Sequence, residues 1–308
     1  MTTAKMATRK AFGLALEVLG EKYPNVVCLD ADLSKSTMSM LFAKKYPQRF
    51  FEMGIQEANM ISCAAGMSFT GKVPFICSFG AFLTGRYDQI RMSIGYSQAN
   101  VKLIGTHCGV GIGEDGHSQM GLEDVALMRT IPHMIVLQPG DQKETTEMVE
   151  WAINHHGPVY FRLTRQDLVS YDMPPFQLGV FPRLKAGKKI AFLGCGGLLT
   201  AAFEAAKELD RAKIMNPAVY NANCAKPLNQ QFMQELAREF EELVIFEDHT
   251  IIGGTGSALA EWMSEFAPTP LRVRRYGVQD CFGESGTPEE LYEKHGLTAS
   301  HIFKHFMN

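Results

Sequence analysis

The feature that most constrains the fold is an alternation of short apolar runs with longer amphipathic stretches along most of the chain. The first amphipathic stretch, Met6 to Leu19, closes at Gly20 and Pro24 and is followed by the apolar run Val26 to Leu29. The amphipathic period predicts a helix, and the short apolar run predicts a buried strand. Repeated strand and helix units predict a parallel sheet with helices on both faces, so we expect an α/β protein.

This alternation continues through two consecutive parts of the chain. In the first part we predict further strands near Pro74–Ser78, Val101–Gly105, Met134–Leu137 and Val159–Leu163, and helices near Glu57–Met67, Phe82–Ile94, Leu122–Arg129 and Gln142–His155. In the second part we predict strands near Ile190–Leu193, Ala218–Tyr220 and Leu243–Phe246, and helices near Leu198–Leu209, Gln230–Phe240 and Ser257–Phe266.

A break in the pattern divides the chain into two predicted domains. The segment from Val169 to Leu184 has three prolines and no periodicity, which is typical of an exposed connection. We therefore predict a domain over residues 1–172, a linker over 173–186 and a smaller α/β domain over 187–308. A chain of 308 residues is long enough for two domains that each bury a core.

Composition and charge exclude several classes of protein. A formal net charge of -3 gives no general attraction to nucleic acid or anionic membranes, so an anion site must be built locally. No apolar run approaches the ~20 residues that a membrane helix needs, and no apolar signal core follows the basic N-terminus. The seven cysteines are scattered without a CxxC pair, which suits reduced thiols. We expect a cytoplasmic protein that binds neither nucleic acid nor membrane.

Several polar and aromatic residues follow the predicted strands of the first domain. Because open α/β sheets bind ligands at the carboxyl edge of their strands, these segments form a candidate site. They are Asp30 to Ser36, Phe79 and Phe82, His107 to Gln119, and Arg165. Glu57 lies at the start of a predicted helix, where a carboxylate can also simply complement the helix dipole.

A glycine pattern near the third strand, Gly111 to Gly116, has the spacing GxGxxG of dinucleotide-binding turns. Two carboxylates, Glu114 and Asp115, lie inside this turn and would repel a pyrophosphate. The spacing alone therefore does not favour a dinucleotide site.

Longer motifs resemble the second half of transketolase in order and spacing, over nearly the whole chain. They are Gly54–Met60, Ser78–Phe82, Gly113–Met120, Leu163–Gln166, Lys226–Leu228, Glu247–His249 and Phe282–Thr287. The resemblance implies a thiamine diphosphate pyrimidine-binding domain, with a parallel sheet and helices on both faces, followed by a transketolase C-terminal domain. It also implies transfer of a two-carbon ketol unit from a ketose phosphate to an aldose acceptor.

The resemblance implies a cofactor site for thiamine diphosphate. Glu57 would hydrogen-bond a ring nitrogen of the aminopyrimidine, so that the cofactor acts as its own base. Phe79 and Phe82 would pack against the pyrimidine, although their residue types fit simple core filling as well. Asp32 would border the cofactor and the subunit contact.

The resemblance also implies a substrate site. Ser36, His107 and Arg165 would bind the sugar phosphate, and His107 also counts among the expected catalytic residues. Asp115 would recognise a hydroxyl group near the reacting carbonyl. Gln119 would hydrogen-bond the donor ketose, but an amide cannot shuttle a proton. The resemblance assigns no role to His117 or His249.

The chain lacks the Gly-Asp-Gly run with a following asparagine that holds the divalent metal of thiamine diphosphate enzymes. It also starts directly at the second-half domain. We therefore expect no metal site here, and an N-terminal diphosphate-binding subunit that brings the Mg²⁺ or Ca²⁺ site in an α2β2 assembly. Alternatives are a subunit like 1-deoxyxylulose-5-phosphate synthase, a 2-oxoacid dehydrogenase β subunit, or a non-catalytic scaffold subunit.

Overall fold

Two main sheets and one short ribbon organise the protein in the computed structural model, which describes residues 5–307. The strands are β1 (Lys5–Ala7), β2 (Val26–Asp30), β3 (Phe50–Glu52), β4 (Val73–Phe79), β5 (Lys102–Thr106), β6 (Ile135–Leu137), β7 (Val159–Arg162), β8 (Asp167–Val169), β9 (Arg183–Lys185), β10 (Lys189–Gly194), β11 (Ala218–Asn221), β12 (Cys224–Lys226), β13 (Phe240–Thr250) and β14 (Arg272–Val278).

Helices connect most of these strands. They are α1 (Thr8–Lys22), α2 (Ser34–Thr37), α3 (Met40–Lys45), α4 (Glu57–Ser68), α5 (Gly80–Thr84), α6 (Tyr87–Gln89), α7 (Asp124–Thr130), α8 (Gln142–Asn154), α9 (Leu199–Arg211), α10 (Gln230–Glu239), α11 (Thr255–Phe266), α12 (Pro288–Lys294) and α13 (Ala299–Met307), with a π-helical turn over Ile90–Tyr96. No helix in the described part of the chain is long and apolar enough to cross a membrane.

The first sheet has seven strands in the order β12-β6-β7-β5-β4-β2-β3, and all its pairs except β12 with β6 are parallel. Strands β2, β4 and β5 are buried along their whole length, as strands covered by helices on both faces must be. The second sheet has five strands in the order β14-β13-β10-β11-β9, with only β9 antiparallel. The predicted fold of two consecutive α/β units is confirmed.

The segment predicted as an exposed connection is partly buried. Phe181 is 1% exposed and packs with the main hydrophobic core, and Met173 is also buried. Strand β9 lies inside the predicted linker and pairs with β11 of the second sheet. The prediction of an exposed segment was wrong at these residues because apolar side chains next to prolines can still fill gaps beside a sheet.

The two halves of the chain also share a sheet edge. Strand β12 belongs to the second half but pairs antiparallel with β6 of the first sheet, placing Cys224 opposite Leu137. Beside this edge, the buried carboxylate of Glu144 in α8 accepts hydrogen bonds from Asn221 Nδ2 at 2.7 Å and Asn223 Nδ2 at 2.6 Å. These contacts hold the second half against the first.

The stability of this junction should depend on pH through Glu144. Burial raises the pKa of Glu144 to about 7, so the folded protein keeps a proton that the unfolded chain releases near its ordinary pKa of 4.5. The contribution of this bound proton to the free energy of unfolding is present at low pH and is lost as the pH rises through about 7. Relative to Glu144→Gln, which does not titrate, the free energy of unfolding of the parent should fall by about 3 kcal/mol between about pH 4 and pH 8.

Urea unfolding of the parent and Glu144→Gln across this pH range checks the prediction. The observable is the difference between the two free energies of unfolding at each pH, which cancels the other titrating groups. A difference that stays constant over the whole range would contradict a raised pKa for Glu144.

Candidate active site

Four neighbouring parallel strands bring most of the predicted site residues to one edge of the first sheet. Strands β2, β4, β5 and β7 lie side by side in the same direction, so their carboxyl ends meet at this edge. The residues that follow or end these strands are Asp32 and Ser36 after β2, Phe79 and Phe82 at the end of β4, His107 after β5, and Arg165 after β7.

Glu57 is the first residue of α4, and it is 5% exposed. Its Oε1 atom accepts a hydrogen bond of 3.0 Å from Ser78 Oγ in β4. Among the described residues, no group donates to its Oε2 atom. Oε2 does not count among the buried side-chain atoms without a partner, so this oxygen is open to contact by a polar ligand atom.

A row of stacked rings follows directly after Ser78. The rings of Phe79 and Phe82 stack with centroids 5.3 Å apart, and Phe79 stacks on the His107 imidazole at 3.9 Å. Phe79 is buried, whereas Phe82 is half-buried. Phe79 therefore fills the interior of the row, and Phe82 presents the face that a flat ligand ring can reach.

His107 is buried and is held at both ring nitrogens. Its Nδ1 atom lies 2.9 Å from Thr106 Oγ1, and its Nε2 atom lies 3.3 Å from Nη1 of Arg9. Burial, together with the charges of Arg9 and Arg165, lowers the pKa of His107 to about 3. The imidazole is therefore neutral near pH 7, with Nε2 accepting from the guanidinium and Nδ1 donating to the hydroxyl.

Two of the predicted site residues at this edge of the sheet have a strained backbone conformation. Asp32 has φ of 63° and His107 has φ of 57°, and both values lie in the left-handed region that ordinary residues avoid. Each such conformation costs on the order of 1 kcal/mol of folding free energy and persists only where surrounding contacts hold it. Strain at two predicted site residues supports a functional role for this edge.

Arg9 belongs to the same cluster, although it was not among the site residues predicted from the sequence. Its Nη1 atom donates to the carbonyl oxygen of Ser36 at 2.5 Å, and its Nε atom is buried without a hydrogen-bond partner in the described structure. Burial, and then the charge of Arg165, lowers the pKa of Arg9. The antiparallel pairing of β1 with β8 brings the start of α1 beside Arg165.

The sequence did carry a signal for Arg9. It is the second residue of α1, where the helix dipole disfavours a positive charge. A cation in the first helical turn therefore suggests a demand other than helix stability.

Arg165 and Asp115 face each other at the outer end of the cluster. Arg165 Nη1 donates to the carbonyl oxygen of Ile112 at 2.6 Å and lies 3.7 Å from Asp115 Oδ2. Within residues 5–307, no side-chain hydrogen bond joins Gln119 or Asp32 to this cluster. Gln119 is half-buried, and Asp32 is exposed.

The two histidines without a predicted role both contact the other half of the protein. His117 Nδ1 accepts from the backbone N–H of Gly283 at 3.0 Å, and its ring packs edge-on against Phe282. His249 is buried, and its Nε2 atom accepts from the N–H of Ala126 at 3.3 Å. Burial lowers the pKa of His249 to about 4, so this imidazole is a neutral structural group.

Among residues 5–307, no group of three or more histidine, cysteine, aspartate or glutamate side chains is arranged to hold a metal ion. The polar groups at the sheet edge are instead two arginines, a neutral histidine and a glutamate with one free oxygen. Such a set fits an anionic ligand beside a flat, polar ring.

Two family descriptions match consecutive parts of the chain. The description "Transketolase, pyrimidine binding domain" matches residues 4–170, and "Transketolase, C-terminal domain" matches residues 179–302. Together they cover the sheet edge described above and the second sheet.

Curated relatives match the chain over nearly its whole length. A putative transketolase C-terminal section of Methanocaldococcus jannaschii is 38% identical over 97% of this chain and 95% of its own length. A 6-deoxy-6-sulfo-D-fructose transketolase subunit of Clostridium sp. strain MSTE9 is 38% identical over 92% of this chain and 88% of its own. Human transketolase is 37% identical over 95% of this chain, which spans only 47% of the human protein.

Solved structures share the fold. A protein described as "Split gene transketolase, inactive beta4 tetramer" has a TM-score of 0.87 and 40% identity, and the match covers 99% of this chain and 98% of that one. Transketolase from Leishmania mexicana has a TM-score of 0.83 at 22% identity, covering 100% of this chain and 46% of that one. The latter likeness concerns the fold alone.

Proposed function

Since the chain belongs to the transketolase family, we propose that it is one subunit of a two-subunit transketolase. The complete enzyme would transfer a two-carbon ketol unit from a ketose with an anionic group to an aldose acceptor. The observation that carries this proposal is the nearly buried Glu57, with its free carboxylate oxygen, at the same sheet edge as Arg9, His107 and Arg165.

The residues at this edge fit thiamine diphosphate. We propose that Glu57 binds a ring nitrogen of the aminopyrimidine, with Ser78 fixing the other carboxylate oxygen. Phe82 and, behind it, Phe79 would pack along the ring, and Asp32 would border it. When bound, thiamine diphosphate supplies the carbon nucleophile and the electron sink of the reaction. Glu57 would share a proton with the ring nitrogen and so set the hydrogen-bonding pattern of the aminopyrimidine.

The basic cluster fits the anionic end of the sugar. Arg9 and Arg165 would bind the anion, with Ser36 beside them. Neutral His107 accepts from Arg9 and so orients the guanidinium, rather than supplying a proton near pH 7. Asp115 and Gln119, on the loop after β5, would bind sugar hydroxyl groups.

A partner subunit would complete the site. We propose that an N-terminal diphosphate-binding subunit brings the diphosphate and Mg²⁺ or Ca²⁺ contacts in an α2β2 assembly. Ile55, 77% exposed, and Tyr96, 82% exposed, present apolar surface near α4 that such an assembly would cover. The relative described as an inactive β4 tetramer is consistent with a chain that self-associates but is inactive alone. The seven free cysteines fit a cytoplasmic location.

A sulfonated ketose is a second candidate substrate. The Clostridium relative is a subunit of a transketolase named for 6-deoxy-6-sulfo-D-fructose. A sulfonate, like a phosphate, offers oxygens to the planar guanidinium groups of Arg9 and Arg165. Comparing the KM for fructose 6-phosphate with that for its 6-deoxy-6-sulfo analogue in the assembled enzyme separates the two candidates.

Replacing Arg165 by alanine tests the anion site. A charge-assisted hydrogen bond contributes about 1.5–3 kcal/mol, so Arg165→Ala should raise the KM for the anionic ketose by about 10- to 100-fold. The KM for fructose, which lacks the anion, should change little. The measurement is steady-state ketol transfer by the assembled enzyme with each sugar.

Arg211→Ala is the matched control, because Arg211 is an exposed residue in the last turn of α9 in the second half. It should leave the KM for both sugars unchanged. If Arg165→Ala changed the KM for fructose as much as that for the anionic ketose, Arg165 would not be an anion ligand.

A further inference from the structure

The loop that joins β5 to α7 has little regular structure of its own. This segment, residues 107–121, is called the substrate loop because it carries Asp115 and Gln119. Gly109, Gly113 and Gly116 all have φ between 80° and 84°, a conformation that strongly favours glycine. A chain this free loses much conformational entropy on ordering, so contacts from outside must fix the shape of the loop.

Asp248, at the end of β13 in the second half, is one such contact. Its side chain is buried, and its Oδ1 atom accepts from the backbone N–H of Val110 at 2.8 Å. Its Oδ2 atom lies 3.4 Å from the N–H of Gly111, a weaker contact. A Cβ at Gly109 would stand 2.2 Å from the same carboxylate, so the loop approaches Asp248 closely only because this residue is glycine.

Tyr292 of α12 extends this contact to the segment after β7. Its hydroxyl donates to Asp248 Oδ2 at 2.6 Å and accepts from Gln166 Nε2 at 2.6 Å. Gln166 directly follows Arg165, whose guanidinium donates to the carbonyl oxygen of Ile112 within the substrate loop. The carboxylate and the hydroxyl thus link the two segments that carry Arg165 and Asp115.

A second set of contacts comes from the segment before α12. The backbone N–H of Gly283 donates to His117, and a Cβ at Gly116 would lie 2.6 Å from Ser285 Oγ. The substrate loop is therefore held from the second half at both ends, near Val110 and near His117. Its middle, with Asp115, is left facing Arg165.

We propose that the second half of the chain sets the position of the substrate loop, with Asp248 and Tyr292 as positioning residues for Asp115 and Arg165. The inference rests on the proposed function, because it assigns the second half a part in sugar binding. Neither residue hydrogen-bonds Glu57 or the aromatic row, so we expect each to act on substrate binding and not on cofactor binding.

Tyr292→Phe tests the proposal because it removes only the hydroxyl group. Asp248 and Gln166 then each lose a partner, and the carboxylate no longer links the substrate loop to the Arg165 segment. A displacement of even ~1 Å in a binding group has large kinetic effects. In the assembled enzyme, we expect the KM for fructose 6-phosphate to rise about 3- to 10-fold, with kcat nearly unchanged.

Three further measurements distinguish positioning from simple loss of stability. The affinity for thiamine diphosphate, measured by calorimetric titration of the assembled enzyme, should be unchanged. The KM for fructose, which lacks the phosphate bound by Arg165, should rise less than that for fructose 6-phosphate. Asp248→Asn keeps the size of the side chain but removes its charge, and it should shift the two KM values in the same pattern.

Tyr276→Phe is the matched control, since Tyr276 lies in β14 and its hydroxyl contacts Arg274 at 3.5 Å rather than the loop. It should leave both KM values unchanged. Unchanged KM values in Tyr292→Phe and Asp248→Asn, with Arg165→Ala still raising the KM for fructose 6-phosphate, would overturn the positioning role alone. No effect of Arg165→Ala would instead overturn the proposed substrate site.

Discussion

Glu57→Gln is expected to lower kcat of the assembled enzyme by about 10²- to 10⁴-fold, the range typical of a lost acid-base group. Glutamine keeps the size of the side chain, and its carbonyl oxygen can still accept from Ser78 Oγ. The change removes the exchangeable proton that the proposed contact with the aminopyrimidine requires, because an amide neither gains nor loses one near neutral pH. The fold should therefore be unchanged, whereas kcat should fall.

Steady-state rates with saturating thiamine diphosphate, Mg²⁺ and both sugars measure this effect, and thermal unfolding checks the fold. Glu289→Gln is the matched control, since Glu289 also lies in the first turn of a helix but is exposed. It should keep the parental kcat. Parental activity in Glu57→Gln would show that Glu57 does not act on the cofactor.

Sequence reasoning predicted the elements whose residues carry their own periodic signal. The buried strands of the first sheet and the helix at Glu57 lie close to their predicted bounds. Among the elements that were not predicted are α2, α3, β3, β14, α12 and α13. Strand β14 has three arginines in seven residues and lies at a sheet edge, so it lacks the apolar run that marks a buried strand.

The pairing of β12 with β6 could not be predicted locally. β12 has only three residues, and its partner β6 lies nearly ninety positions earlier in the chain, since Cys224 pairs with Leu137. Short strands of this kind form because a distant edge is available, and propensity alone does not specify them. The same limit applies to the buried residues of the predicted linker.

The candidate site likewise contains residues that the sequence predicted and residues that it did not. The strand-end rule correctly placed Ser36, His107 and Arg165 at one edge, because parallel neighbours bring their carboxyl ends together. Arg9 was not predicted as a site residue. It reaches this edge through the antiparallel β1–β8 pair, which joins three residues from each end of the first domain. The neutral state of His107 also could not be read from the sequence, since it depends on burial and on the two nearby guanidinium groups.

The isolated chain is expected to be inactive in ketol transfer, and this is the second prediction with a large effect. The sequence lacks the Gly-Asp-Gly run with a following asparagine that the metal site of such enzymes uses, and the apolar residue Ile55 beside Glu57 is exposed. Without a partner, the diphosphate end of thiamine diphosphate would lack the metal and the dipoles that bind it. Adding the diphosphate-binding subunit should supply both.

Three preparations distinguish activity of one subunit alone from activity that needs both. They are the chain alone, the candidate diphosphate-binding subunit alone, and an equimolar mixture. A fourth, in which Glu57→Gln replaces the parental chain in the mixture, shows whether activity depends on this chain's own carboxylate. Size-exclusion chromatography of each preparation reports whether the two proteins form a complex.

The most direct test is the rate of ketol transfer from fructose 6-phosphate, and from its 6-deoxy-6-sulfo analogue, by these preparations with thiamine diphosphate and Mg²⁺. We predict turnover of at least one donor only in the mixture that contains the parental chain. Full activity of the isolated chain would contradict the account of a shared active site, and so would a mixture that forms a complex yet transfers neither donor.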